Sequence, residues 1–403
     1  MITHTIQALA KRAQRIKVSP TFALSVRAAE LQAAGKNIIN LTIGEPDFDT
    51  PAHIKEAAIK AIHDGQTKYT AVDGTKGLKK AVVDKFLREN NLKYELNEIL
   101  VSCGAKHSLY NLFSVILNAG DEVIIPAPYW VSYPDMVMLT DGKPVFIEAD
   151  IDHLFKITPA QLEAAISEKT RMFILNSPSN PSGVAYTAEE LKALAEVILR
   201  HPNIIVASDD IYEHHLWNHT PFTSILNVCP ELRNRCVLIN STSKTYAMTG
   251  WRIGYAAGPA YIISAMKNVQ SQNTSSPTTV SQFAAQAALE GNQACVGQMT
   301  RAYKERHDFV MSELQTMPNI QCIPSDGTFY TLPSIKELLN KKIGMSNDFE
   351  FADLLLQQVG LAIVPGSAFG APGHIRICYT TTMENLSEAM QRLRKVVMEF
   401  EGY

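Results

Sequence analysis

Ser241-Thr242-Ser243-Lys244-Thr245-Tyr246-Ala247-Met248-Thr249-Gly250-Trp251-Arg252-Ile253-Gly254 follows directly on a short apolar run, Val237-Leu238-Ile239-Asn240. Hydroxyls crowd one lysine, and an arginine set between two glycines follows it. The apolar run reads as a strand whose carboxyl end delivers the lysine. The same grammar recurs on either side. Strands are expected at Ile99–Cys103, Glu122–Pro126, Pro144–Glu148, Arg171–Asn176, Ile204–Ser208, Val237–Ser241 and Ile253–Ala257. Amphipathic segments such as Lys106–Leu117 and Ala188–Leu199 lie between them, the second opened by Thr187 and Glu190 as a capping box. Strands alternating with helices predict an α/β architecture around a mostly parallel seven-stranded sheet. Ligands of such sheets sit beyond the carboxyl ends of the strands, where Asn176, Asp209 and Ser241 fall.

After about residue 290 the pattern changes. A long helix is expected at Gln293–Gln315, short strands at Ile320–Pro324, Thr328–Leu332, Leu361–Val364 and His374–Tyr379, and helices at Asp348–Val359 and Glu384–Phe400. Gly366–Gly373 reads as a loop. This suggests a large domain over 44–290 and a smaller α+β domain from 1–43 with 291–403, as a chain of 403 residues leads one to expect. A net charge of −3 argues against a nucleic-acid or anionic-membrane partner. The six cysteines show neither C-x-x-C pairing nor metal-ligand spacing, which points to a reducing, cytoplasmic setting and no metal. The basic N-terminal stretch with Lys11, Arg12, Arg15 and Lys17 lacks an apolar signal core and reads as a helical arm. No apolar run approaches the ~18 residues of a membrane span.

Three further segments bear on Lys244. Asn176-Ser177-Pro178-Ser179-Asn180-Pro181-Ser182-Gly183 is a Pro-stiffened turn in which Asn180 offers an amide. Ser208-Asp209-Asp210-Ile211-Tyr212 places a carboxylate and a phenol just past a strand. Cys103-Gly104-Ala105-Lys106-His107-Ser108 joins a strand to a helix, whose first N–H groups can cradle phosphate, with Arg252, Ser241 and Ser243 completing the cup. Each segment alone has a plainer reading: a solvated lysine, a Pro-rich turn, a helix cap with a core tyrosine. Together, at strand ends, they suit pyridoxal 5′-phosphate held as a Schiff base on Lys244, with Asp209 at the ring nitrogen and Asn180 and Tyr212 at the phenolic oxygen.

With S-x-S-K followed by G-W-R-I-G, and with N-P-x-G and D-x-x-Y ahead of them in order, the chain resembles fold-type-I pyridoxal-phosphate aminotransferases. In particular it is similar to the class-I subgroup that contains many bacterial aspartate aminotransferases. The likeness runs from Leu41-Thr42-Ile43-Gly44-Glu45-Pro46-Asp47-Phe48 to His374-Ile375-Arg376-Ile377-Cys378-Tyr379. It implies that Lys244 also shuttles the substrate proton, that Trp130 stacks on the ring, and that the backbone at Gly104, Ala105 and Lys106 holds phosphate. It implies too that Gly44 and Arg376 take the substrate α-carboxylate beside Trp130 and Asn180, and that Tyr69 reaches the partner's phosphate in a homodimer. Periodicity alone leaves Arg376 open, since Ile375 and Ile377 equally fit a half-buried strand with an outward arginine. Asp210 stands where glutamate is frequent, and Ser182 where threonine is.

The resemblance further implies ping-pong transfer of the α-amino group of L-aspartate to 2-oxoglutarate, yielding oxaloacetate and L-glutamate, with Lys106 reading the distal carboxylate. Prephenate or an aromatic amino acid is the alternative substrate, with Lys17, Thr21 and Phe22 near the entrance. A pyridoxal-phosphate lyase and a non-catalytic regulator are more distant readings.

Overall fold

The structure is a computed structural model that describes residues 9–16, 20–217, 222–341 and 345–400. After a helix at Pro20–Ala33, the short strand β1 (Ile39–Asn40) leads to a second helical stretch. Then come β2 (Ile99–Ser102), β3 (Glu122–Ala127), β4 (Lys143–Glu148), β5 (Thr170–Asn176), β6 (Ile205–Asp209), β7 (Cys236–Ser241) and β8 (Gly254–Ala257). These seven form one sheet in the order β2-β8-β7-β6-β5-β3-β4. Only β8 runs antiparallel to its neighbours. All seven expected strands are present, each within a residue or so of its expected bounds.

Alternate residues of the central strands feed two separate cores. Val206, Leu238 and Phe173 pack on one face, and Ala207, Ile239 and Ile174 on the other. Burial on both faces is why these strands read as continuous apolar runs. The helix Ala188–Arg200 opens with the expected box: Thr187 Oγ1 accepts from Glu190 N at 3.2 Å, and Glu190 Oε2 accepts from Thr187 N at 2.7 Å.

Beyond the long helix Ala294–Leu314, the strands are short: β9 (Tyr330–Thr331), β10 (Leu361–Ala362), β11 (Val364–Pro365) and β12 (Ile375–Cys378). The expected strand at Leu361–Val364 is in fact two. β10 pairs in parallel with β1, while β11 pairs antiparallel with β12 in a three-stranded sheet. The expected strand at Ile320–Pro324 is absent, reduced to one bridge between Gln321 and Ser334; Pro324 offers no N–H to extend the ladder. Within Gly366–Gly373, residues Gly366–Phe369 form a 3-10 turn. A third core gathers Tyr303, Phe329, Ile375, Ile377 and Leu393 together with Ile39 and Leu41. No helix among the described residues is long and apolar enough to cross a membrane. The six cysteines are free thiols.

Candidate active site

β7 ends at Ser241, whose hydroxyl accepts from Ser243 N at 2.9 Å and so starts the single helical turn Thr242–Thr245. That turn aims Lys244 into a cavity of about 380 Å³ at the carboxyl ends of the strands. Lys244 Nζ donates to the carbonyl of Gly44 at 2.6 Å. Burial pulls its pKa down to about 8, with Arg376 and Arg252 adding to the effect.

The last residue of β6, Asp209, faces the same cavity and is 4% exposed. Tyr133, fully buried, donates its hydroxyl to Asp209 Oδ2 at 2.6 Å. Asp209 Oδ1 is buried without a partner. Burial pushes this carboxyl up to about 6, opposed by the Tyr133 hydroxyl and the Ile211 N–H. Asn176, at the end of β5, donates to the Asp209 carbonyl at 2.8 Å and accepts from Asn180 N at 3.0 Å. The Pro-stiffened turn is thus tied to the aspartate strand.

Arg376 lies in β12 and is 3% exposed, which excludes the outward-facing alternative. It donates to Asn180 Oδ1 at 3.1 Å and to the Thr42 carbonyl at 2.6 Å, and its guanidinium lies 4.5 Å from the ring centre of Tyr330. The Tyr330 and Tyr212 hydroxyls are 3.1 Å apart. A side chain at Gly44 would meet the Tyr330 hydroxyl at 2.1 Å, so the main chain can run beside Arg376 only as glycine. On the far side, Gly104 turns with φ +89°, and a Cβ there would lie 2.3 Å from Arg252 Nη2. This close approach brings Arg252 against the start of the helix Ala105–Ile116. Lys106 Nζ sits 4.9 Å from the Trp130 ring centre; burial and then Arg252 lower its pKa.

A family model for aminotransferases of class I and II matches residues 36–393. The chain belongs to this family. It is 51% identical to the aspartate/prephenate aminotransferase of Nitrosomonas europaea, over 96% of this chain and 99% of that one. It is 47% identical to the aspartate aminotransferase of Geobacillus stearothermophilus, over 96% and 98% of the two chains. Among solved structures it superposes on the Rhizobium meliloti aspartate aminotransferase with a TM-score of 0.94 at 46% identity, covering 97% of this chain and 98% of that one. It superposes on the Thermus thermophilus aspartate aminotransferase with maleate with a TM-score of 0.91 at 39% identity, covering 96% and 99%.

Most of the residues singled out in this aminotransferase's sequence line one cavity. Lys244, Asp209, Tyr212, Asn180, Ser243, Ala105, Lys106, Trp130, Arg252, Gly44 and Arg376 all line it. Three do not line it. Gly104 and Ser241 lie behind the wall, the latter with its hydroxyl 2.7 Å from Ser243 Oγ. Tyr69 is 92% exposed and outside the cavity. Lys17 lies outside the described residues, as do the side chains of Thr21 and Phe22; Ser25 of the same helix does reach the cavity. Tyr133 and Tyr330 carry no local signal of a role in the sequence: one lies in a stretch similar to the aspartate-using subgroup, the other in the expected strand Thr328–Leu332. Asn176, a polar residue at a strand end, carried the right signal without a role attached.

Proposed function

We propose that this aminotransferase moves the α-amino group of L-aspartate to 2-oxoglutarate with pyridoxal 5′-phosphate bound at Lys244. The observation that carries the proposal is the cavity's charge pattern. Among the described residues, Lys106, Lys244, Arg252 and Arg376 line it against one carboxylate, Asp209. Such a site suits a phosphorylated cofactor together with a dicarboxylic substrate.

The residues fit the cofactor on the orphaned oxygen of Asp209. A buried, unpartnered carboxylate oxygen is costly unless a donor meets it, and a protonated ring nitrogen is such a donor. Asn180 and Tyr212 would serve the phenolic oxygen, and Trp130 the ring face. The backbone at Gly104, Ala105 and Lys106, with Ser243 and Arg252, would hold the phosphate, Ser241 supporting Ser243 from behind, with Tyr69 supplied by the partner of a homodimer. When bound, the cofactor supplies an aldehyde for amine exchange and an electron sink for the carbanion at the substrate α-carbon.

The chain's own groups supply the rest. Arg376 and Gly44 N–H fix the α-carboxylate, which orients the α-hydrogen toward Lys244 Nζ. With a pKa near 8, that amine is a competent base close to neutral pH, takes the α-proton and later redelivers it. Tyr133 and the strand-end geometry keep Asp209 charged and in place before any charge develops. Lys106, a mobile point charge above Trp130, meets the distal carboxylate of either acidic partner. The maleate named with the Thermus thermophilus structure, a four-carbon dicarboxylate, supports the same substrate class.

Prephenate as amino acceptor is the second reading. The Nitrosomonas europaea relative's name includes it, and prephenate also carries two carboxylates.

The test is the absorbance spectrum of the purified protein. A yellow band lost on adding L-aspartate and restored by 2-oxoglutarate supports the proposal, and restoration by prephenate supports the second reading. A yellow band untouched by aspartate removes aspartate as donor. Absence of a band with added pyridoxal phosphate removes the cofactor assignment.

A further inference from the structure

Behind the site wall lies a charged cluster that none of the chemistry above uses. Lys85, on the helix Lys76–Asn90, has a fully buried side chain and pairs with Glu213, itself 4% exposed. Glu213 also accepts from Asn240 Nδ2 at 2.6 Å and from Asn90 Nδ2 at 2.8 Å. Lys85 Nζ donates to Asn90 Oδ1 at 2.8 Å and lies 3.6 Å from Glu89. His214 continues the chain of contacts, 3.0 Å from Glu89 Oε2 and 3.2 Å from the Thr245 hydroxyl.

The places where this cluster touches the backbone are telling. Glu213 follows Tyr212. Asn240 precedes Ser241 and accepts from its N–H at 2.7 Å. Thr245 follows Lys244. Each contact therefore falls next to a residue assigned to the cofactor, on two neighbouring strand ends. The cluster could bind a metal through Glu89, Glu213 and His214, but Lys85 already supplies the cation that Glu213 requires. Burying such a pair gains little stability over an apolar pair of similar size, because desolvation offsets the attraction. Stability is thus a weak reason for its presence, whereas a fixed geometry is a direct consequence of it.

We infer that Lys85 and Glu213 are positioning residues: through Asn240 and His214 they lock the Asp209–Tyr212 segment to the Ser241–Thr245 turn, setting Lys244 against Asp209. The inference rests on the cofactor reading above. The unaltered protein's yellow band tests that reading separately, so the two can fail independently.

The experiment replaces both charges at once, Lys85→Met with Glu213→Leu, which leaves no unpaired buried charge. The readouts are thermal melting, the rate of pyridoxal-phosphate release, the pH at which the cofactor band changes, and kcat against KM. The expected result is a melting temperature close to that of the parent, faster cofactor release, a shifted band midpoint and kcat lower by about tenfold, with KM little changed. A folded double variant with unchanged release, midpoint and kcat overturns the inference. Should the double variant not fold, His214→Ala decides. It cuts the partly exposed ties to Thr245 and Glu89 and the 3.7 Å contact with Glu213 while leaving the Lys85–Glu213 pair in place, and is expected to shift release and midpoint in the same direction. An unshifted His214→Ala protein overturns the inference.

Discussion

The two sides of the cavity are built differently. The lysine side comes from the ends of adjacent parallel strands: Asn176 on β5, Asp209 on β6, and Ser241 on β7 leading to Lys244. Main-chain ladders set the spacing of these residues, and side chains refine it. On the arginine side one short ladder, β9 with β12, carries Tyr330 and Arg376, but the partners of Arg376 lie outside it. Arg376 reaches Thr42, 334 positions away, and Asn180, 196 positions away. Its frame is the third core, where Tyr330 and the N-terminal segment converge, with the Phe369 ring 4.8 Å from the guanidinium. The difference teaches that the groups proposed to act on the substrate α-carbon share one sheet edge, while those proposed to take its carboxylate are brought together from segments far apart in sequence.

Substitutions can break this contrast. Lys244→Ala should lower kcat by about 10⁴-fold while the protein still binds pyridoxal phosphate, because a positioned general base is lost and the cup remains. Steady-state turnover alongside cofactor titration checks this, and substantial residual turnover would remove Lys244 from the chemistry. Arg376→Ala should cost about 10²-fold in kcat/KM, through KM for both amino acid and oxoacid, since a buried charge-assisted pair of bonds is lost. An effect confined to the dicarboxylic partner would make Arg376 the distal reader instead.

A pH measurement sharpens the lysine side. Lys244 is reactive as the free amine, and burial has lowered its pKa from 10.5 to about 8. Capture of pyridoxal phosphate by the cofactor-free protein should therefore accelerate about tenfold per pH unit below that value and level off above it. Stopped-flow absorbance reads it, and a plateau reached only above pH 10 would mean an unperturbed lysine. Tyr133→Phe should cost roughly tenfold in kcat/KM and weaken cofactor binding, since it removes the donor that keeps Asp209 ionised. Unchanged cofactor affinity would show that the strand end alone orients Asp209. Lys106→Met should have the smallest effect, about fivefold in kcat/KM for aspartate and none for alanine, because a mobile, partly exposed ammonium contributes modestly. Equal losses with both amino acids would move Lys106 from substrate to phosphate.

The lysine side was legible because strand-end position converts directly into spatial proximity in a parallel sheet. Three adjacent apolar runs, β5, β6 and β7, each ending in or followed by a polar residue, suffice to bring Asn176, Asp209 and Lys244 into one row. The C-terminal sheet was less legible. Two-residue strands such as β10 and β11 are too short to show a period, and the chain changes sheet between Ala362 and Val364.

By itself, then, the sequence determined the seven strands and which polar residues fall at their ends, because local periodicity and turn residues govern both, and its motifs pointed to the aminotransferase family. Only the tertiary structure decided that Arg376 turns inward, that Tyr133 holds Asp209, that Tyr330 closes over Gly44, and that Lys85 lies buried against Glu213. Each of these depends on contact between residues 76 or more positions apart. No local pattern encodes such contacts, and only the packing of the cores brings them about.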